Sequence, residues 1–132
     1  MKSTFLSAVL LAVVAAPAAF HATPAQAGSL DNAALACYVD TYAYDQLVND
    51  YCESVWTPAH GNRNSVAHFE VTGLAAGSYS YSWTPSSCGS SAQCNIAIFA
   101  EGTRSATVTV HDNGTGDTKT VSATAEYIDG WD

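Results

Sequence analysis

Few residues in this chain could do chemistry, and their spacing narrows what that chemistry is. His60, His68 and His111, together with Asp112, Asn113 and Asp117, are the groups whose placement invites a metal-binding reading. Calcium takes about six to eight oxygens. The run Asp112-Asn-Gly-Thr-Gly-Asp117 offers three side chains without the spacing of a dedicated loop, so it reads as a turn. The three histidines match no zinc pattern and read as surface residues. Neither Gly-x-Ser-x-Gly nor His-Glu-x-x-His occurs, and Cys37, Cys52, Cys88 and Cys94 are better used in disulfides than as thiolate nucleophiles. The expectation is a protein that is not an enzyme, holds no cofactor and acts by binding.

Aromatic residues that a small core does not need are the better functional signal. Tyr38, Tyr42, Tyr44 and Trp56 could stack against a polysaccharide or a protein, with His60, Arg63 and the near-terminal Trp131 beside them as a candidate binding surface. The alternative is an inhibitor or accessory protein that presents the loops at 60–65 and 86–93 to an exported enzyme. A hydrolase stands well behind both.

The elements that must position these groups are strands. Ala106, Val108 and Val110 alternate with Thr107, Thr109 and His111, and Val121, Ala123, Ala125 and Tyr127 alternate with Thr120, Ser122, Thr124 and Glu126. A period of two with β-branched residues specifies strand. The Asn113-Gly pair between the two runs supplies a reversal, giving an antiparallel hairpin with one apolar and one Ser/Thr face. Such a ribbon needs a second sheet over its apolar face. Ala67, Phe69 and Val71 form another inward set, with His68 and Glu70 outward. Tyr79, Tyr81 and Trp83 share one parity and, with Val108 and Val110, are the expected core. Residues 34–42 alternate as a first strand, and 95–100 reads as a central strand. Residues 45–52 place Leu47, Val48, Tyr51 and Cys52 at helical spacing, so a short helix and a loop both remain open. The count is about six strands.

Residues 1–27 have the form of a cleaved secretory signal: Lys2, an apolar run from Phe5 to Ala16 too short to span a membrane, and Ala25-Gln26-Ala27 as a small-residue cleavage site. Its alanine richness suits a bacterial source. The expected mature chain, 28–132, is a single domain, secreted or periplasmic, with no membrane insertion after signal removal. It keeps three Lys and Arg residues against all twelve Asp and Glu, a formal charge of −9. That balance argues against nucleic acid, whose phosphates need basic contacts. An even number of cysteines in an exported chain implies two disulfides. Of the three pairings that four cysteines allow, Cys37–Cys52 with Cys88–Cys94 is favoured, because each pair brackets one irregular stretch.

Tyr81-Ser-Trp83, followed downstream by Ser-Ala-Thr-Val-Thr-Val-His-Asp-Asn-Gly and a last Thr/Ser/Ala strand, resembles a bacterial immunoglobulin-like domain of the polycystic kidney disease (PKD) repeat kind. The resemblance covers about residues 66–127. It implies an all-β, immunoglobulin-like two-sheet sandwich, here stapled by two disulfides, with a role in extracellular binding or spacing and no catalytic residue. The chain departs from the pattern in having Thr84-Pro85-Ser86 where Gly-Asp-Gly commonly follows the Trp. It also has no Cys on the strand around Thr107 to Val110, which excludes the antibody-type disulfide.

Overall fold

The computed structural model describes residues 25–41, 43, 45–57 and 63–130. Within them lie eight strands: β1 (Ala34–Val39), β2 (Val48–Asn49), β3 (Tyr51–Val55), β4 (Asn64–Thr72), β5 (Tyr79–Thr84), β6 (Gln93–Phe99), β7 (Gly102–Asp112) and β8 (Thr118–Ile128). They make two four-stranded sheets, β2-β1-β4-β6 and β3-β8-β7-β5. From β2 onward the chain changes sheet at every step until the closing β7–β8 hairpin. These crossed connections make an immunoglobulin-like two-sheet sandwich, the class expected from the sequence. Every pairing is antiparallel except β3 with β8, which run parallel from Tyr51 opposite Thr124 to Val55 opposite Ile128.

The alternation that marks the strands also builds the core. Leu35, Phe69, Ile98, Val108, Val110 and Tyr127 are each no more than 2% exposed, and they come from both inner faces. Trp83 joins them at 7%, whereas Tyr79 and Tyr81, on the same face of β5, are only partly buried. The reason is that β5 lies at the edge of its sheet, so the residues nearest the strand's start are covered from one side. The outer face of the second sheet carries hydroxyls in cross-strand pairs: Ser105 with Thr124, Thr107 with Ser122 and Thr109 with Thr120, at 2.9, 2.8 and 2.9 Å.

Three expectations need correction. The stretch at 45–52 is neither helix nor plain loop, because Leu47, Val48 and Tyr51 are 40, 46 and 45% exposed and do not form a buried helical stripe. Instead the chain steps there from one sheet to the other through Asp50, at φ 69°. The Asp50 N–H donates to the Leu35 carbonyl and its own carbonyl accepts the Thr124 N–H, at 3.0 and 2.9 Å, so one residue ties both sheets. Second, the apolar run at 95–100 belongs to an edge strand rather than a central one. Its parity is ordinary: Ile98 is buried and Phe99 is 52% exposed. Third, the strands number eight among the described residues, since the short β2 and β3 escape a pattern search.

Both disulfides have the favoured pairing, Cys37–Cys52 and Cys88–Cys94. Such bonds persist in oxidising surroundings outside the cytosol. Among the described residues no helix is long and apolar enough to cross a membrane.

Candidate functional site

The outward positions of β1, β4 and β6 bring together a set of polar and aromatic groups that sequence spacing alone does not connect. Register places Tyr38 opposite His68 and His68 opposite Asn95, and in the next rank Ala36 opposite Glu70 and Glu70 opposite Gln93. Neighbouring strands lie about 4.8 Å apart, so each rank is one continuous row of side chains. The Tyr38 and His68 rings have centroids 4.9 Å apart and are tilted by 36°. On its other side His68 donates from Nδ1 to Asn95 Oδ1 at 2.7 Å. Its Nε2 lies 3.5 Å from Glu70 Oε2, which also accepts from Gln93 Nε2 at 3.1 Å.

These contacts hold five planar side chains in one arrangement before any partner arrives. The His68 side chain is 15% exposed and that of Glu70 33%, so the imidazole is a spacer within the row while the carboxylate reaches solvent. Burial, followed by the Asp40, Asp45 and Glu70 carboxylates, pushes the Tyr38 hydroxyl above its ordinary range. It therefore stays protonated at neutral pH and can donate a hydrogen bond. No Lys or Arg occupies an outward position of β1, β4 or β6.

One end of the face is fixed by a covalent loop. Gln93 opens β6 directly before Cys94, whose disulfide to Cys88, the last residue of the 3-10 turn Ser86–Cys88, closes residues 88–94 into a ring. The Trp83 indole Nε1 donates to the Ser91 carbonyl at 2.8 Å, and Ser91 Oγ donates to the Gln93 carbonyl at 2.7 Å. The core tryptophan thus anchors the loop that presents Gln93.

The other expected site residues fall elsewhere. Tyr42, Tyr44, His60 and Trp131 lie outside the described residues. Trp56 follows β3 and packs partly buried against the core. Arg63 pairs with the Asp129 carboxylate at 2.7 Å, closing the end of the sandwich far along the chain from the loop it was grouped with. His111 is exposed on the second sheet, opposite Ser80 and Thr118. Asp112 spends its oxygens on backbone N–H groups: Oδ1 accepts from Gly114 and Thr115 at 2.8 and 3.3 Å, and Oδ2 accepts from Gly28 at 2.8 Å. Asn113 accepts from Ser80 Oγ at 3.0 Å. Among the described residues no three His, Cys, Asp or Glu side chains form a group that could hold a metal ion.

Sequence reasoning named Tyr38 but missed His68, Glu70, Gln93 and Asn95 as its neighbours. The signal was present for two of them, since His68 and Glu70 are the outward positions of an alternating strand. What joins them to β1 and β6 is strand order, which no local pattern carries. Compared with family models, curated proteins and solved structures, the chain matches none.

Proposed function

We propose that the protein is an exported, non-catalytic binding domain that takes a polysaccharide on the outer face of its first sheet. The observation that carries this reading is the fixed row of Tyr38, His68 and Asn95 beside Glu70 and Gln93. Sugar rings present apolar C–H faces edged by hydroxyls. An aromatic ring beside amide and carboxylate groups meets both parts, and preorganised side chains lose little entropy on binding. The chain's acidity selects among glycans, because Asp40, Asp45 and Glu70 around Tyr38 would repel an anionic polymer and accept a neutral or amine-bearing one.

Retention of the exported protein on insoluble neutral and amine-bearing polysaccharides tests this, with an anionic polymer as control. Retention that Tyr38→Ala removes supports the reading. No retention on any of them, or retention indifferent to Tyr38, refutes it.

A second reading is favoured by the loop at 89–93, which the disulfide and the Trp83 hydrogen bond hold in one shape. A rigid exposed loop of this kind also suits a protein partner, such as an exported enzyme that it would inhibit or assist.

A further inference from the structure

The second oxygen of Asp112 has a partner that the hairpin does not require. Asp112 is 1% exposed at the end of β7. Its Oδ1 caps the turn through Gly114 and Thr115, as an aspartate in a tight reversal commonly does. Its Oδ2, however, accepts the backbone N–H of Gly28, 84 residues away in sequence, at 2.8 Å. Burial works against the Asp112 carboxylate, but the backbone N–H groups of Gly28, Gly114 and Thr115 outweigh it and hold the carboxyl below its ordinary range. It is therefore charged, yet every group now bonded to it is a neutral amide and none is a cation.

Gly28 follows Ala25-Gln26-Ala27, the small-residue pattern at the end of the apolar leader. Peptidase-catalysed hydrolysis there adds water across the Ala27–Gly28 amide. The hydroxyl goes to the Ala27 carbonyl carbon and a proton to the Gly28 nitrogen, which then takes up a second proton as an α-ammonium at neutral pH. We propose that Gly28 is the mature N-terminus and that its α-ammonium forms an ion pair with the buried Asp112 carboxylate, so that removal of the leader ties the new N-terminus to the β7–β8 turn.

The seat for that ammonium is built by residues that survive the cut. A Cβ at position 28 would lie 1.8 Å from Tyr79 Oη, so any side chain there would displace the Tyr79 ring from its contacts. Ser29 N–H donates to Tyr79 Oη at 3.0 Å, and Tyr79 Oη donates to the Ala75 carbonyl at 2.8 Å. Lys119 Nζ holds the Asp31 carbonyl at 2.7 Å. Together these pin 28–31 whatever precedes them. The open cleft beside this segment, about 780 Å³, is lined by Gly28–Asp31, Asp112 and Gly116–Lys119, so Asp31 and Asp117 add negative charge that Lys119 offsets in part. Cleavage removes the Gln26 carbonyl that accepts the Ser78 N–H at 3.0 Å. One neutral hydrogen bond is thereby exchanged for a charge-assisted one, the stronger of the two kinds.

After processing, the chain has two amines, the Gly28 α-amine and the Lys119 ε-amine, so acetylation followed by peptide mass spectrometry reads each separately. Intact mass of the exported protein should show a chain beginning at Gly28. The acetylation rate against pH should give an α-amine pKa at least about one unit above the usual 7.7–8.0, hence about fivefold slower reaction near pH 8 and nearly tenfold slower near pH 7. Asp31, Asp117, His111, Lys119 and the Tyr79 hydroxyl are the other titratable groups around it. Asp112→Asn keeps an oxygen for Gly114 and Thr115 and should return the α-amine to its ordinary reactivity. An N-terminus at any other residue overturns the proposal, as does an ordinary α-amine pKa in the wild-type protein. The latter measurement needs no variant to fold.

Discussion

Cys37 and Cys52 stand on opposite sheets, Cys37 on β1 and Cys52 on β3, with their Cα atoms 5.7 Å apart across the core. Both are buried, at 0 and 4% exposure. The pair brackets an irregular stretch of sequence, and in the fold it ties the two layers at the point where the chain passes between them. The tie matters because β3 is an edge strand bonded on one side to β8.

Replacing both Cys37 and Cys52 with Ala should therefore cost about 3 kcal/mol of unfolding free energy, the chain-entropy value for a loop of roughly 15 residues. Urea denaturation of the wild-type and doubly substituted proteins measures it. A loss under about 1 kcal/mol would mean that Asp50 and the β3–β8 pairing hold the layers without the bond.

Trp83 has two jobs that substitution can separate. Its ring fills the core, and its indole N–H anchors the loop at Ser91. Trp83→Ala should lose about 3 to 5 kcal/mol by cavity formation. Trp83→Phe should lose less from packing, plus about 1 kcal/mol for the missing hydrogen bond. Hydrogen exchange in residues 89–93 should quicken in Trp83→Phe even while the sandwich stays folded. Unchanged protection there would show that the disulfide alone fixes the loop.

The long strands were legible because each carries its own evidence. Val108 and Val110 alternate with threonines, and Phe69 alternates with His68 and Glu70, so period and inward face come from one short window. The short β2 and β3 were not legible, because two and five residues give no reliable period and Leu47, Val48 and Tyr51 imitate a helical stripe. The edge position of β6 was hidden for a different reason: apolar content reports how much of a strand is covered, not which neighbours it has. The binding face suffers most from this. Tyr38, His68 and Asn95 are separated by 30 and 27 positions and meet only through the order β1-β4-β6.

Tyr51 on β3 gives a test at high pH. Its hydroxyl donates to the Glu126 carboxylate and to Glu53, at 3.3 Å in the latter case. The hydrogen bond to Glu126, then burial and the negative charge of both carboxylates, pushes its pKa up to about 12 from an ordinary 10.0. A folded pKa above the unfolded one means that the contribution is fully present below pH 10.0 and disappears as pH rises towards 12. The stability difference between wild-type and Tyr51→Phe should thus be constant from neutral pH to about 10 and shrink above it. Burial also raises Tyr38, Tyr81 and Tyr127, so spectrophotometric titration should show several late phenolate steps, one of which the variant lacks. If Tyr51 ionises with the ordinary tyrosines, the carboxylate contacts are not made in solution.

The last prediction separates the two faces of the sandwich as binding surfaces. On the second sheet the hydroxyls of Ser105, Thr107 and Thr109 are paired with those of Thr124, Ser122 and Thr120. A ligand there would compete with bonds already made. On the first sheet the row is also prearranged, but Tyr38 adds an aromatic ring and Glu70 a solvent-reaching carboxylate. Tyr38→Ala should weaken retention on polysaccharide about tenfold or more, as expected for an anchoring aromatic, whereas Thr109→Ala should leave it unchanged. The disulfide Cys88–Cys94 supplies a graded third case. Replacing both cysteines with Ser frees the residues before Gln93, whose side chain reaches Glu70 at 3.1 Å. Affinity should fall by about 0.5 to 1.5 kcal/mol, the ordering cost of one side chain, while Tyr38 still binds. The order Thr109→Ala, then the cysteine pair, then Tyr38→Ala is the expected ranking by isothermal titration or affinity electrophoresis. A larger loss at Thr109 than at Tyr38 would move the binding surface to the hydroxyl face. A larger loss at the cysteine pair than at Tyr38 would instead favour the loop as the site where a protein partner docks.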